Sequence, residues 1–94
     1  IEHPDGGDDT RGWGPPFMQS PEGDRIEASY FACCNRNKRS VALDFNNNED
    51  RVTLLKLASQ ADVLVENFKP GSLAKFGLDF EIFLLSDILQ PIVV

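Results

Sequence analysis

The chain has 94 residues, 41% of them hydrophobic, which fits one small folded domain or a piece of a larger one and excludes a disordered chain. Its formal net charge of −6 argues against nucleic acid or an acidic membrane as the main partner. No apolar run reaches the ~18 residues that a membrane span requires, so we expect no membrane partner.

The two ends of the sequence predict a fragment. Residues 1–4 have no Met, no basic region and no apolar core, so we expect no signal peptide there. Residues 1–4 and 91–94 instead have the character of interrupted strands. The adjacent Cys33 and Cys34 have Cα atoms about 3.8 Å apart, too close for an ordinary disulfide. We therefore expect small, buried, free thiols and an intracellular protein, mitochondrial or cytoplasmic.

Residues 4–28 are rich in Gly, Pro and Asp and predict a long ordered loop rather than a helix or a central strand. Trp13, Phe17 and Met18 give this loop apolar side chains with which to anchor itself. One or two helical turns are expected over residues 28–34, carrying Tyr30 and Phe31 inward.

Residues 39–66 predict a strand–helix–strand unit. Residues 40–45 alternate with period two, as in a strand. Asn48 is the expected N-cap of a helix over residues 49–60, and residues 62–66 form the second strand. A unit of this size predicts two adjacent parallel strands with a right-handed crossover, and hence an α/β fold.

Two short helices are predicted after the second strand. The first covers residues 71–76, with Pro70 at its start and Gly77 as the left-handed residue at its end. The second covers residues 80–86, with Asp79 as its cap.

Few residues suggest catalysis. The acidic turn at residues 4–9 lacks the spacing of an EF-hand loop, so a solvated turn is favoured over a calcium site, and no metal is expected. No glycine-rich nucleotide fingerprint follows either strand, and no nucleophile lies beside a base. Anion recognition remains, because Asn67, Lys69 and Lys75 surround a strand end and the start of the 71–76 helix. The alternative is a solvated basic loop.

Four segments occur in an order and spacing that resemble class III coenzyme A transferases, a family that includes formyl-, carnitine- and succinate-glutarate CoA transferases and α-methylacyl-CoA racemases. They are Ile1-Glu2-His3-Pro4, Gly7-Asp8-Asp9-Thr10-Arg11, Asn35-Arg36-Asn37-Lys38-Arg39-Ser40 and Ala61-Asp62-Val63-Leu64-Val65-Glu66-Asn67-Phe68-Lys69-Pro70-Gly71. The resemblance covers residues 1 to about 82. Residues 13–17 look most like the succinate-glutarate branch.

The resemblance implies a Rossmann-like domain in an interlocked homodimer, and acyl-CoA and carboxylic acids as substrates, with no tightly bound cofactor. An aspartate would carry the acyl group as a mixed anhydride. Residues that match the family's coenzyme A contacts are His3, Leu43, Asp44, Phe45, Asn46, Asn67, Phe68, Lys69 and Lys75. His3 departs from the arginine of many relatives.

The resemblance places the catalytic aspartate beyond Val94, and none of Asp62, Asp79 or Asp87 matches it. After Glu81 the sequence departs from the family pattern. Three interpretations therefore stay open: part of a coenzyme A transferase, a non-catalytic truncated product that acts as an interaction fragment, and part of an acyl-CoA racemase.

Overall fold

A computed structural model describes residues 1–79 and 92–93, and the chain divides into two compact units, Ile1–Ala42 and Leu43–Val94. The first unit contains a 3-10 helix, two strands and one helix. In chain order these are the 3-10 helix Asp9–Gly12, strands β1 (Phe17–Gln19) and β2 (Arg25–Ala28), and helix α1 (Ser29–Cys34).

The segment predicted as a long loop contains an antiparallel hairpin, in which Phe17 pairs with Ala28 and Gln19 with Arg25. Its turn is closed by Ser20, whose hydroxyl accepts hydrogen bonds from the backbone N–H groups of Glu22 and Asp24. The pairing is irregular between Phe17 and Gln19. The glycines and prolines that argued against a strand lie outside the short paired segments, which is why composition missed the hairpin.

Helix α1 appears where it was predicted, but only one of its two aromatic rings faces inward. Phe31 is buried, whereas Tyr30 is 52% exposed and stacks on Trp13 with the ring centroids 6.0 Å apart. Trp13, expected to anchor the loop, is itself 60% exposed. The two rings therefore cover one another on the surface and fill no core.

The second unit begins with the predicted helix, observed as α2 (Asn48–Ala58). The N-cap is Asn47, one residue earlier than expected, because its side-chain oxygen accepts from the backbone N–H groups of Glu49 and Asp50. Asn48 is the first helical residue. Strand β3 (Val63–Leu64), the 3-10 helix Leu73–Phe76 and strand β4 (Ile92–Val93) follow.

The strand pairing differs from the prediction. Strand β3 pairs in parallel with β4, and not with residues 40–45. Residues 40–45 instead contribute an isolated parallel bridge from Ala42 to Glu2, in which the Glu2 N–H donates to the Val41 carbonyl over 3.0 Å. A period-two pattern indicates which side chains share a face, but not which strand lies alongside, so the sequence could not fix this partner. Residues 1–79 and 92–93 form a mixture of helices and short strands. A Rossmann-like parallel sheet is not seen in these residues.

The helix predicted over 71–76 is a single 3-10 turn, and Gly77 ends it in the expected left-handed conformation at φ 64°. This geometry lets the Leu78 N–H reach the Leu73 carbonyl over 3.1 Å, and Leu78 is only 1% exposed. The predicted helix 80–86 lies outside the described residues. No helix in the described part of the chain has the length and apolar character to cross a bilayer.

Candidate functional site

Residues 43–46, which follow the isolated bridge at Ala42 and were predicted as the end of a strand, are called the strand end below and are held by their own polar side chains. Leu43 is buried, and the Asp44 N–H donates to a carboxylate oxygen of Asp50 over 2.8 Å. The Asp44 carboxylate accepts from the backbone N–H of Asn46 over 2.8 Å and from its side-chain amide over 3.0 Å. Asp50 lies in the first turn of α2, so the helix start fixes where the strand end turns. Phe45 is left half-buried beside an exposed Asn46.

The loop after β3 meets this strand end through aromatic rings. The centroids of Phe45 and Phe68 lie 6.2 Å apart, and that of Phe76 lies 6.0 Å from Phe45. The Phe68 N–H donates to the Glu66 carboxylate over 2.8 Å, which fixes the loop at its first turn. Residues 43–46 and 67–69, which the family resemblance implied as ligand contacts, are therefore in contact with one another.

A cavity of about 220 Å³ opens beside Phe68. Most of its lining is apolar, with one ammonium group, from Lys69, and two carboxylates, from Glu66 and Asp79. Such a lining favours an apolar chain more than a phosphate, because the carboxylates offset the ammonium charge. Phosphate recognition at this end of the unit would fall to exposed groups around the cavity rather than to its interior.

The other predicted contacts in this unit are exposed. Asn67, Lys69 and Lys75 all face solvent, and Lys75 lies on the 3-10 helix outside the cavity lining. The anion-binding helix N-terminus that the sequence predicted over 71–76 is weak, because a four-residue 3-10 turn aligns few peptide dipoles. Lysine charge therefore has to supply most of any attraction for phosphate here.

His3 lies in the first unit and is exposed. Its Nδ1 lies 3.0 Å from the Asp5 nitrogen and 3.3 Å from the Asp5 carbonyl oxygen, so the tautomer decides which of the two contacts is a hydrogen bond, and Nε2 is available to a ligand.

A charged cluster in the first unit escaped the sequence analysis. The guanidinium of Arg11 binds Glu2 through Nε at 2.7 Å and Nη2 at 2.8 Å, and reaches Glu27 through Nη1 at 2.6 Å. It also lies 4.0 Å from the ring centroid of Phe31. Glu2 further accepts from the Ser40 hydroxyl and from the Asp8 N–H. In the sequence, Arg11 stood out only as the last residue of the Gly7-Asp8-Asp9-Thr10-Arg11 motif.

This cluster explains the composition of the Gly7–Arg11 segment. Asp8 caps the 3-10 helix by accepting from the Thr10 N–H over 2.8 Å, which turns Arg11 toward Glu2. A Cβ at Gly7 would lie 2.7 Å from the Glu2 carboxylate and 2.8 Å from Arg11 Nε, and φ there is +76°. Only glycine fits beside the ion pair. Hydrogen bonds hold the pKa of Glu2 far below its usual range. The bond from Arg11 has the largest effect, and those from Ser40 and Asp8 follow.

The cysteines are placed differently from the prediction. Cys33 and Cys34 are free, as expected, but both are exposed rather than buried. They end α1 on the solvent side, because the helix turns Phe31 into the core instead. No group of three or more His, Cys, Asp or Glu side chains able to hold a metal ion occurs in residues 1–79.

The sequence model of CoA-transferase family III matches residues 1–86, so the chain belongs to that family. It is 48% identical over 81 residues to a succinate–glutarate CoA-transferase of Agrobacterium fabrum, which covers 86% of this chain and 20% of that protein. It is 41% identical to the human succinyl-CoA:glutarate CoA-transferase, again over 86% of this chain, and 17% of that protein.

A solved structure is similar as well. A CAIB/BAIF family protein from Brucella suis matches with a TM-score of 0.74 and 53% identity, over 86% of this chain and 21% of that one. The chain thus spans about a fifth of the length of the relatives that it matches.

Proposed function

We propose that this chain is the coenzyme A-binding N-terminal part of an enzyme that moves coenzyme A between carboxylic acids. The observation that carries the proposal is the meeting of the strand end with the loop after β3, where Phe45 and Phe68 lie 6.2 Å apart. Membership of CoA-transferase family III supports it, since the resemblance to that family implies coenzyme A contacts in both segments.

The proposed roles follow from the chemistry of each side chain. Lys69 and Lys75 attract the phosphates of coenzyme A, with Asn67 and Asn46 as hydrogen-bonding groups beside them. Phe45 and Phe68 offer apolar surface to the rest of the ligand, and Leu43 and Asp44 hold the strand end in place. His3 offers an imidazole N–H group to a phosphate. An imidazole holds a phosphate less firmly than a guanidinium does.

The acyl donor and acceptor are proposed as short dicarboxylic acids, because the Agrobacterium and human relatives are named for succinate and glutarate. The acyl group passes through an anhydride on an aspartate outside this chain, and the enzyme works as an interlocked homodimer with a Rossmann-like sheet. These parts of the proposal rest on the family alone.

Charge reversal tests the site in the full-length enzyme that contains this chain. Lys69→Glu and Lys75→Glu are each expected to weaken coenzyme A binding roughly tenfold, the loss of one charge-assisted contact. Calorimetry at two salt concentrations is the measurement, and the effect should shrink at the higher one because exposed charges are screened.

Lys56→Glu is the matched control, since Lys56 is an exposed lysine of α2 that lies outside the site. Its affinity for coenzyme A should equal that of the unmodified enzyme. Equal affinities in all three variants would remove the site assignment.

A further inference from the structure

The last two residues of α1 are cysteines whose sulfur atoms lie close together. Cys33 Sγ and Cys34 Sγ are 3.9 Å apart, although neighbouring side chains on a helix normally diverge. Both are free and exposed to solvent. The Cys33 thiol donates to the Tyr30 carbonyl over 3.2 Å, which fixes the position of the first sulfur. The pair is thus set by the helix and open to solution.

The separation of the two sulfurs matches that of a chelating dithiolate. With metal–sulfur bonds of about 2.3 Å, as for zinc, two thiolates on a tetrahedral centre lie roughly 3.8 Å apart. We propose that Cys33 and Cys34 form a bidentate site for a thiophilic centre, either a soft divalent cation or a trivalent arsenical. Thiolate sulfur selects such soft centres over magnesium or calcium.

The surroundings limit what this site can hold. Residues 1–79 contain no group of three or more metal-ligating side chains, so the dithiol supplies two ligands and leaves the remaining positions to solvent or to a substituent. A structural zinc site, which needs four protein ligands, is therefore excluded in this part of the chain. An exchangeable cation or an organoarsenical with one carbon substituent fits the two-ligand site.

The two thiols are joined by one hydrogen bond. The single proton of Cys33 is directed to the Tyr30 carbonyl, so Cys34 is the donor in the bond between the two sulfurs. A centre that binds both sulfurs displaces both protons in one event.

Phenylarsine oxide is a suitable probe because its reaction needs two thiols. Two arsenic–sulfur bonds form, the arsenic–oxygen bond breaks, and the oxygen leaves as water with the two thiol protons. Arsenic stays trivalent, so no oxidant or reductant takes part. One equivalent per chain should bind and should block both cysteines against iodoacetamide, as read by mass spectrometry.

The experiment uses the reduced 94-residue chain with two probes, phenylarsine oxide and Cd²⁺, the latter followed by its sulfur-to-metal charge-transfer absorption. Cys33→Ser and Cys34→Ser should each weaken binding at least about a hundredfold. Each variant has one sulfur left, so the probe loses the second bond, which forms within the same molecule at high effective concentration. Ala32→Ser is the matched control, because it changes α1 equally little and keeps both thiols. Binding of only one probe identifies which centre the site takes.

Repeating the titrations in urea separates the folded site from the dipeptide alone. We expect weaker binding in urea, since unfolding removes the preset distance between the sulfurs. The proposal is overturned if neither probe binds, if one probe molecule joins two chains, if single-cysteine variants bind as well as the original chain, or if urea leaves the affinity unchanged.

Discussion

Glu2 shows how one carboxylate can organise the first unit. It is 12% exposed and accepts hydrogen bonds from Arg11, Ser40 and Asp8. Glu2→Gln removes the charge but keeps the shape of the side chain. It should lower the free energy of unfolding by roughly 1–2 kcal/mol, which is the usual contribution of a charged hydrogen bond that is partly exposed. Urea unfolding followed by circular dichroism is the measurement. Asp24→Asn is the control, because the exposed Asp24 side chain makes no hydrogen bond within the described residues.

The same carboxylate gives a pH dependence with a definite sign. Its pKa in the folded chain lies well below the ordinary value of 4.5, so its contribution is complete above about pH 4.5 and is lost as the pH falls from there toward the folded value. The stability difference between the original chain and Glu2→Gln should therefore narrow on acidification. A difference that stays constant from neutral to acid pH would contradict the assigned cause of the pKa shift.

Single residues also show where sequence reasoning fails. The Gly7–Arg11 segment was recognised as a motif, yet its task became visible only when Arg11 was found between Glu2 and Glu27, 16 residues further on. Cysteine type suggests burial, but Cys33 and Cys34 are exposed because Phe31 takes the inward face of α1. Contacts between residues far apart in the chain determine the role of Arg11 and the exposure of the cysteines. A single sequence does not show which distant residues are in contact.

Among the elements, α2 was the most predictable. Its 11 residues carry a helical pattern, a polar residue at the start and Glu49 and Asp50 in the first turn. Three consecutive asparagines, however, each satisfy the composition rule for an N-cap, so the rule could not choose among residues 46–48. The geometry of the carboxamide chose Asn47.

This choice can be tested on the two neighbouring asparagines. Asn47→Ala should cost about 1 kcal/mol of helix stability, because the N–H groups of Glu49 and Asp50 lose their acceptor. Asn48→Ala should be close to neutral, since alanine favours a helical position and Asn48 is the first helical residue. Urea midpoints of both variants are the measurement. A larger loss at Asn48 would return the cap to the residue that the sequence analysis had selected.

The strands were less predictable than the helix for a physical reason. Residues 62–66 were selected for their apolar run, and β3 occupies Val63–Leu64 within them, but the neighbouring strand came from residues 92–93. Neighbouring strands are joined by hydrogen bonds between their main chains. The periodicity of the side chains says little about which main chains pair. Part of the candidate site was suggested all the same, because the distinctive sequence at residues 61–71 pointed to the loop after β3 and the family resemblance implied contacts at residues 43–46.

At the scale of the whole molecule, much apolar surface remains uncovered. Val52 and Leu57 of α2 are 51% and 42% exposed, and Val65 after β3 is 76% exposed. The buried apolar residues in the described part of the chain are Ala28, Phe31, Leu43, Ala58 and Leu78. So small a core agrees with a chain that spans about a fifth of its relatives' length and with the proposal that it is one part of a larger enzyme.

The proposal predicts that the purified 94-residue chain has no coenzyme A transferase turnover. Anhydride formation requires a carboxylate free to attack the acyl carbon, and the proposed aspartate lies outside the chain. Within the described residues, the Asp44 carboxylate accepts from Asn46, and Asp79 lies in the cavity lining with Lys69, so Asp79 is the carboxylate chosen for the test. Exchange of labelled coenzyme A between succinate and glutarate is the assay, with the full-length enzyme as the positive control. Turnover above a blank that disappears in Asp79→Asn would place the nucleophile inside this chain. The proposal that the catalytic aspartate lies outside the chain would then be wrong.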